Sequence, residues 1–191
     1  MKKVILLLVT LSFIVAGCGS SDGDTEISGV INDHLGISPY IPETDYEIGI
    51  VILEYHPGFE DGDPRSVTVN YFEALEEIEP IDEDLKESWQ ESNPEGELIY
   101  GDLYMEPSVI SLEIFPDGGL GELMDAETIE VAGHEIQYQF LEQGSDGRDS
   151  DTIFMNMHFD DMGYFVRYSV QSDDIEEAAK ELAADIIENN S

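Results

Sequence analysis

The pattern of hydrophobic and polar positions divides the chain into many short strands and a few helices. The apolar run 46–56 is short and rich in β-branched residues, which indicates a buried strand. Other apolar or alternating runs predict further strands, at residues 66–74, 96–106, 109–115, 128–142, 152–159 and 163–170. Ala132-Gly133-His134 predicts a tight hairpin turn within 128–142, and residues 160–162 predict another before Gly163.

Three segments have the spacing of helices. Residues 26–36 place apolar side chains on one face, and the second half of 73–93 does the same with Leu85 and Trp89. The clearest helix is 173–188, where Asp173 is a candidate N-cap with Glu176 as its reciprocal partner. Strands joined mostly by hairpins predict an α+β fold: a mainly antiparallel sheet with a short N-terminal helix and a C-terminal amphipathic helix packed on it.

The N-terminus has the features of a secretory signal. Lys2 and Lys3 precede an apolar stretch, residues 4–16, that is shorter than the about 20 residues a membrane-spanning helix needs. We therefore expect residues 1–17 to be a signal peptide, residues 18–25 to be a flexible acidic tether, and residues 26–191 to form one domain.

The end of this signal is Val15-Ala16-Gly17-Cys18, and Cys18 is the only cysteine in the chain. The tetrapeptide resembles the lipobox of bacterial lipoproteins. The resemblance implies that the Cys18 thiol takes a diacylglyceryl group, that cleavage occurs before it, and that the new amine can be acylated. Two or more acyl chains would hold the protein on the extracytoplasmic face of the cell membrane. The alternative is an incidental thiol.

The charge of the chain is strongly negative. Lys2 and Lys3 are two of its 7 basic residues, so the mature chain keeps 5 of them against 44 acidic residues, a formal charge of −39. Such a field repels DNA, RNA and anionic head groups, which excludes nucleic acid as a partner. Because salt screens this repulsion, the composition is typical of an extracellular protein from a halophile, and an alkaliphile is the second option.

Three features follow one another in the C-terminal half: Val131-Ala132-Gly133, Gly163-Tyr164-Phe165 and the helix at 173–188. With them, this half resembles an extracytoplasmic domain found in lipoproteins and in sporulation or anti-sigma proteins of spore-forming Gram-positive bacteria. The resemblance implies a fold and a location outside the cytoplasm. It implies no catalytic residue.

Candidate metal ligands occur in two acidic loops, but neither follows the order of an EF-hand. Nonspecific cation condensation is therefore favoured over a specific calcium site, and the histidines lack the spacing of a helical zinc site. No cofactor is expected. The candidate ligands are Asp61, Asp63, Asp146, Asp149 and Asp151.

No catalytic motif is present, so the leading hypothesis is a non-catalytic binding or interaction module of the cell envelope, with an unidentified envelope protein as a possible partner. A hydrolase of envelope polymers with paired carboxylates is the first alternative. An acidic surface lipoprotein without a specific small ligand is the second. Aromatic residues on the strands could line a groove, but side chains with this spacing are more often core. They are Tyr100, Tyr104, Tyr138, Phe140, Tyr164, Phe165 and Tyr168.

Overall fold

The computed structural model describes residues 21–57, 62–142, 144, 150–170 and 174–190, and only the backbone of 21–26. The helices are α1 Ser21–Leu35, α2 Glu83–Ser92 and α3 Ile175–Asn189, with a 3-10 turn at Leu75–Glu77. The strands are β1 Glu47–Glu54, β2 Ser66–Phe72, β3 Gly96–Gly101, β4 Ile110–Pro116, β5 Glu127–Val131, β6 His134–Leu141, β7 Asp151–His158 and β8 Met162–Val170. The lipobox and Cys18 lie outside the described residues.

The strands form one 8-stranded sheet in the order β3-β1-β2-β4-β8-β7-β6-β5. Every neighbouring pair is antiparallel. The predicted α+β class is therefore confirmed, with a short N-terminal helix and a C-terminal helix on the sheet. Since β4 and β5 are consecutive in the chain but separated by three strands, their connection must cross the sheet.

One face of the sheet is covered by α1 and α3. Alternate strand residues point into this side, and with both helices they form the main core. Helix α3 packs across β5, β7 and β8, burying Ala179, Leu182 and Ile186 at the spacing that the sequence predicts. Asp173 of the predicted capping pair lies outside the described residues, and Glu176 accepts a hydrogen bond from Tyr138 Oη at 3.1 Å.

The opposite face is covered at one end by residues 75–92, which we call the α2 unit. On β1, Ile50 and Ile52 alternate with core residues and thus point to this second face. They pack with Phe72, Leu103 and Trp89 in a separate apolar cluster. Lys86 of α2 forms an ion pair with Asp102 at 2.5 Å, which joins the unit to the segment after β3.

The β4–β5 connection, residues 117–126, crosses the same second face at the other end, and we call it the strap. Its backbone bonds to side chains of the sheet: Gly121 O accepts from Asn156 Nδ2 at 2.7 Å, and Leu123 N donates to Gln137 Oε1 at 3.0 Å. Met124 O accepts from Gln139 Nε2 at 3.1 Å. The second face is thus bounded by the α2 unit and the strap.

Two predicted boundaries differ from the observed ones by five residues. Helix α1 begins at Ser21, five residues before the predicted start at residue 26. Strand β3 ends at Gly101 instead of continuing to residue 106. Gly101 has φ +77°, and a Cβ there would lie 1.8 Å from Gly49 O, so a close backbone approach ends the strand.

Candidate functional site

Between the α2 unit and the strap, one row of side chains crosses five neighbouring strands. The strand register places them side by side: Asn70, Ser111, Arg167, Phe154 and Gln139. Each is only partly buried, whereas the residues that alternate with them form the main core. We call this row the open strip. It is mostly polar, and Arg167 at its centre carries its one charge.

Arg167 is held by a short chain of hydrogen bonds. Its Nη2 donates to Ser108 Oγ at 2.7 Å and lies 3.5 Å from the Ser108 carbonyl oxygen. The Ser108 hydroxyl in turn donates to Asn70 Oδ1 at 3.0 Å. The Nη2 end of the guanidinium is therefore held by Ser108, whose own hydroxyl is held by Asn70 of β2.

Within the described part of the chain, Arg167 forms no ion pair. The other basic residues described each contact a carboxylate: Arg65 contacts Glu113, Lys86 contacts Asp102, and Lys180 contacts Glu176. Burial lowers the pKa of Arg167, although a guanidinium with so high an ordinary pKa stays charged at neutral pH. In a chain with 44 acidic residues, a partly buried cation that has no carboxylate partner among the described residues is the unusual charge.

A groove of about 790 Å³ adjoins the open strip. Pro107 and Val109 line it, and Ser108 between them contacts Arg167. Ser169, two residues after Arg167 on β8, lines it as well and shares hydrogen bonds with neighbouring hydroxyls. Its carboxylates are Glu73, Glu77 and Glu106. The groove therefore combines hydroxyls and carboxylates, while Arg167 is not among the residues that line it.

Two phenylalanines stand next to Arg167. Phe154 is its register partner on β7, and Phe165 precedes it on the same face of β8. Their rings stack with 5.8 Å between centroids and 5° between planes. Both rings are partly exposed, so they provide the open strip with an apolar surface beside the guanidinium.

A pair of carboxylates, Glu54 and Glu113, lies away from the groove. Ser66 Oγ donates to Glu113 Oε1 at 2.8 Å, and Ser66 is the register partner of Glu54. Burial raises the pKa of the Glu54 carboxyl, and the nearby charge of Glu113 raises it further. The hydrolase alternative requires two neighbouring carboxyls of unequal acidity. Neither Glu54 nor Glu113 lines the 490 Å³ cavity that contains Arg65 and Phe115.

The candidate calcium ligands are not brought together in the described residues. Asp63 lies in an exposed loop and Asp151 begins β7, whereas Asp61, Asp146 and Asp149 lie outside the described residues. In the described chain, no group of three or more His, Cys, Asp and Glu side chains is placed to hold a metal ion. A cavity of about 480 Å³ on the helix face is also acidic, with Glu43, Asp45, Glu73, Glu181 and Asp185 around it.

Comparison of the chain with family models, curated proteins and solved structures found no match. Within the described residues, no helix is both long and apolar enough to cross a bilayer.

Of the aromatic residues that the sequence marked, Tyr138, Tyr164 and Tyr168 are buried. Tyr100 is exposed on the edge strand β3. The sequence reasoning missed Arg167 and Ser108. Alternation along β8 predicts that Arg167 lies on the face opposite the core. The residues of other strands that lie beside it can be identified only from the strand order.

Proposed function

We propose that the protein is a lipid-anchored binding module of the cell envelope, held outside the cytoplasmic membrane by acyl chains on Cys18. The lipobox-like Val15-Ala16-Gly17-Cys18 supports the anchor, and the acidic composition supports exposure to a saline or alkaline exterior. The open strip and its groove are the binding surface. The module acts by holding a ligand rather than by transforming it.

One observation supports the binding role: Arg167 is partly buried and has no carboxylate partner among the described residues. Removing a charge from water costs free energy unless a partner charge or several hydrogen bonds offset it. Arg167 has Ser108 as its described hydrogen-bond partner and no described carboxylate within ion-pair distance. A residue kept at such a site at a cost to folding is typical of a functional surface.

The anchor is tested by detergent partitioning of the full-length protein made in a Gram-positive host. We expect the wild type to enter the detergent phase and Cys18→Ser to stay in the aqueous phase. Ser20→Ala, two residues further along, is the matched control and should partition as the wild type does. Mass spectrometry showing an unmodified Cys18 or an intact signal in the wild type would overturn the anchor.

The binding role is tested by the stability of Arg167→Met, which keeps an unbranched apolar side chain and removes the charge. If Arg167 serves a ligand, the variant is at least as stable as the wild type, and up to about 1 kcal/mol more stable. Arg65→Met is the control, since Arg65 has a carboxylate partner in Glu113. A loss of more than about 1 kcal/mol in Arg167→Met would make Arg167 structural and favour the acidic lipoprotein without a ligand.

The hydrolase remains a second candidate because Glu54 and Glu113 form a carboxylate pair in which the pKa of Glu54 is raised. In that case the protein releases soluble fragments from purified cell-wall polymers. Glu54→Gln would abolish this release, while Glu47→Gln, an exposed residue on the same strand, would not. Failure of the wild type to release fragments at any pH would remove this candidate.

A further inference from the structure

We propose that the open strip docks a partner protein through one segment of that partner. The segment presents an Asp or Glu side chain to Arg167, has apolar residues next to this acid, and has basic residues on its flanks. The inference rests on the proposed binding function and specifies the partner. It follows from the donors of Arg167, from the residues beside it, and from the charge of the walls of the strip.

The guanidinium of Arg167 has donors for a carboxylate that the chain itself does not provide. Its contacts to Ser108 all use Nη2, so among the described residues no acceptor is bound to Nη1 or Nε. Carboxylates form the strongest hydrogen bonds to a guanidinium. Glu113 lies on the same face of β4, but its carboxylate already accepts from Ser66 and pairs with Arg65. A partner's carboxylate can therefore bind Arg167 without breaking a described contact.

The residues beside Arg167 have the composition of the centre of a protein interface. Phe154 and Phe165 are partly exposed on the same face. Arg and aromatic residues are enriched at interface centres, whereas Asp and Glu are depleted there. The open strip has no carboxylate, although the chain has 44 acidic residues. This composition is that of a surface covered by another protein, and it differs from the acidic surface that the chain exposes elsewhere.

The shape of the strip favours a macromolecule over a small ligand. Small ligands bind in concave sites that enclose most of their surface. Arg167, Phe154 and Phe165 line none of the three cavities described above. Neighbouring strands are about 4.8 Å apart, so a row across five strands is about 19 Å long. That length suits the centre of a standard interface, which covers about 800 Å² of each partner, with the α2 unit and the strap as its rim.

The walls of the strip define the flanks of the partner segment. Both walls are acidic, with exposed carboxylates at Glu77 and Glu79 of the α2 unit and at Asp117 and Glu122 of the strap. Basic residues on either side of the partner's acid would be attracted to them. A second copy of the chain is disfavoured, because each copy has a formal charge of −37. A two-fold contact through the strip would also bring two Arg167 side chains together.

The test is a selection from random peptides of about 12 residues displayed on phage. The target is the full-length protein in detergent, and peptides that also bind Arg167→Gln are removed. This subtraction eliminates basic peptides that adhere to the acidic surface at large. We expect the remaining peptides to share one Asp or Glu next to an apolar residue, with Lys or Arg on either side.

Calorimetry on synthetic copies of these peptides measures the pair with Arg167. Replacing the shared acid by its amide should weaken binding to the wild type at least about tenfold, because a charge-assisted pair is lost. In Arg167→Gln, the acid and amide peptides should bind equally. Phe154→Ala should weaken binding by a few fold through lost apolar contact. Lys180→Gln is the matched control, since it removes one positive charge from α3 on the opposite face and should keep the tenfold preference.

Four results would each overturn the inference. They are a selection that leaves no peptide, remaining peptides without an acidic residue, equal binding of acid and amide peptides to the wild type, and binding that Phe154→Ala does not change. The last result would place the contact away from the open strip.

The outcomes separate this inference from the proposed function. A protein that is lipidated at Cys18, and in which Arg167→Met is not destabilising, but which selects no such peptide, overturns the partner's chemistry alone. A protein whose Cys18 is unmodified overturns the anchored module, whatever peptides it selects.

Discussion

Leu120 of the strap packs directly on Gly163 of β8. A Cβ atom at Gly163 would lie 2.6 Å from Leu120 Cδ1 and 2.9 Å from Leu120 Cγ, distances that side chains do not occupy without movement. Gly163 is buried, and its neighbour Tyr164 points to the opposite, helix-covered face. The missing side chain therefore lets the strap lie flat on the sheet, and the strap bounds the open strip on that side.

We therefore expect Gly163→Ala to destabilise the protein by about 1–3 kcal/mol, the usual cost of overpacking a filled site. Urea unfolding followed by circular dichroism measures the change. Gly119→Ala in the strap is the matched control, because a Cβ there would meet only Pro116 O at 3.9 Å, an ordinary contact. Combining Gly163→Ala with Leu120→Ala should recover part of the loss, and strictly additive effects would contradict direct packing of this pair.

Salt should stabilise the fold. Most of the 44 acidic residues have few cations near them, and the screening length falls from about 8 Å at physiological ionic strength to about 3 Å at 1 M. The melting temperature should rise between low and about 1 M NaCl. Replacing Glu76, Glu77 and Glu79 by Gln should reduce the slope, since all three are exposed close together. A flat or falling melting temperature would contradict the halophilic interpretation.

High pH should destabilise the fold through its tyrosines. The hydrogen bond to Glu97 raises the pKa of Tyr55 to about 12, and burial raises the pKa of Tyr138, Tyr164 and Tyr168. Above about pH 10 the unfolded chain releases these protons while the folded chain keeps them, so stability falls as pH rises from there. Denaturation at stepped pH, with tyrosinate absorbance in parallel, measures this.

Tyr55→Phe should reduce the loss of stability between about pH 10 and 12, because this tyrosine no longer contributes a proton. The control is Tyr100→Phe, on the neighbouring edge strand, which also removes a phenol hydroxyl. A free energy of unfolding that stays constant up to pH 12 would contradict this prediction, because it would mean that the phenols titrate alike in the folded and the unfolded chain.

The strands could be predicted from the sequence because alternation reflects burial on one face. Val67, Val69 and Tyr71 are all buried, as the pattern of β2 predicts, and the turn at Ala132-Gly133 joins β5 to β6. Leu85 shows where periodicity alone is insufficient. It shares a helical face with Trp89, yet it is 48% exposed because only Trp89 reaches the cluster on the second face.

The candidate site could not be predicted in the same way, because it is made by strand order. Strands β4 and β8 are far apart in the sequence, and only their pairing brings Ser108 and Ser111 to Arg167. Gly163 illustrates the same limit. The sequence places it after a hairpin turn, whereas its close contact with Leu120 depends on a crossing that no local pattern encodes.

The Glu54 carboxyl offers a last prediction, on the carboxylate pair. Because burial and then Glu113 raise its pKa, the folded state holds the Glu54 proton more tightly than the unfolded state does. The stability from this group is full below its ordinary pKa of 4.5 and is lost as pH rises through the higher folded value. Glu54→Gln should therefore raise the free energy of unfolding near neutral pH, by up to about 1 kcal/mol for a partly exposed group. Near pH 3 the variant and the wild type should be alike, since both then carry a neutral group at this position.

Glu47→Gln is the control for this prediction. It removes the same charge from an exposed position on β1 and therefore measures the general relief of repulsion. An equal gain in both variants, or a gain that persists at low pH, would show that the folded state does not raise the pKa of Glu54.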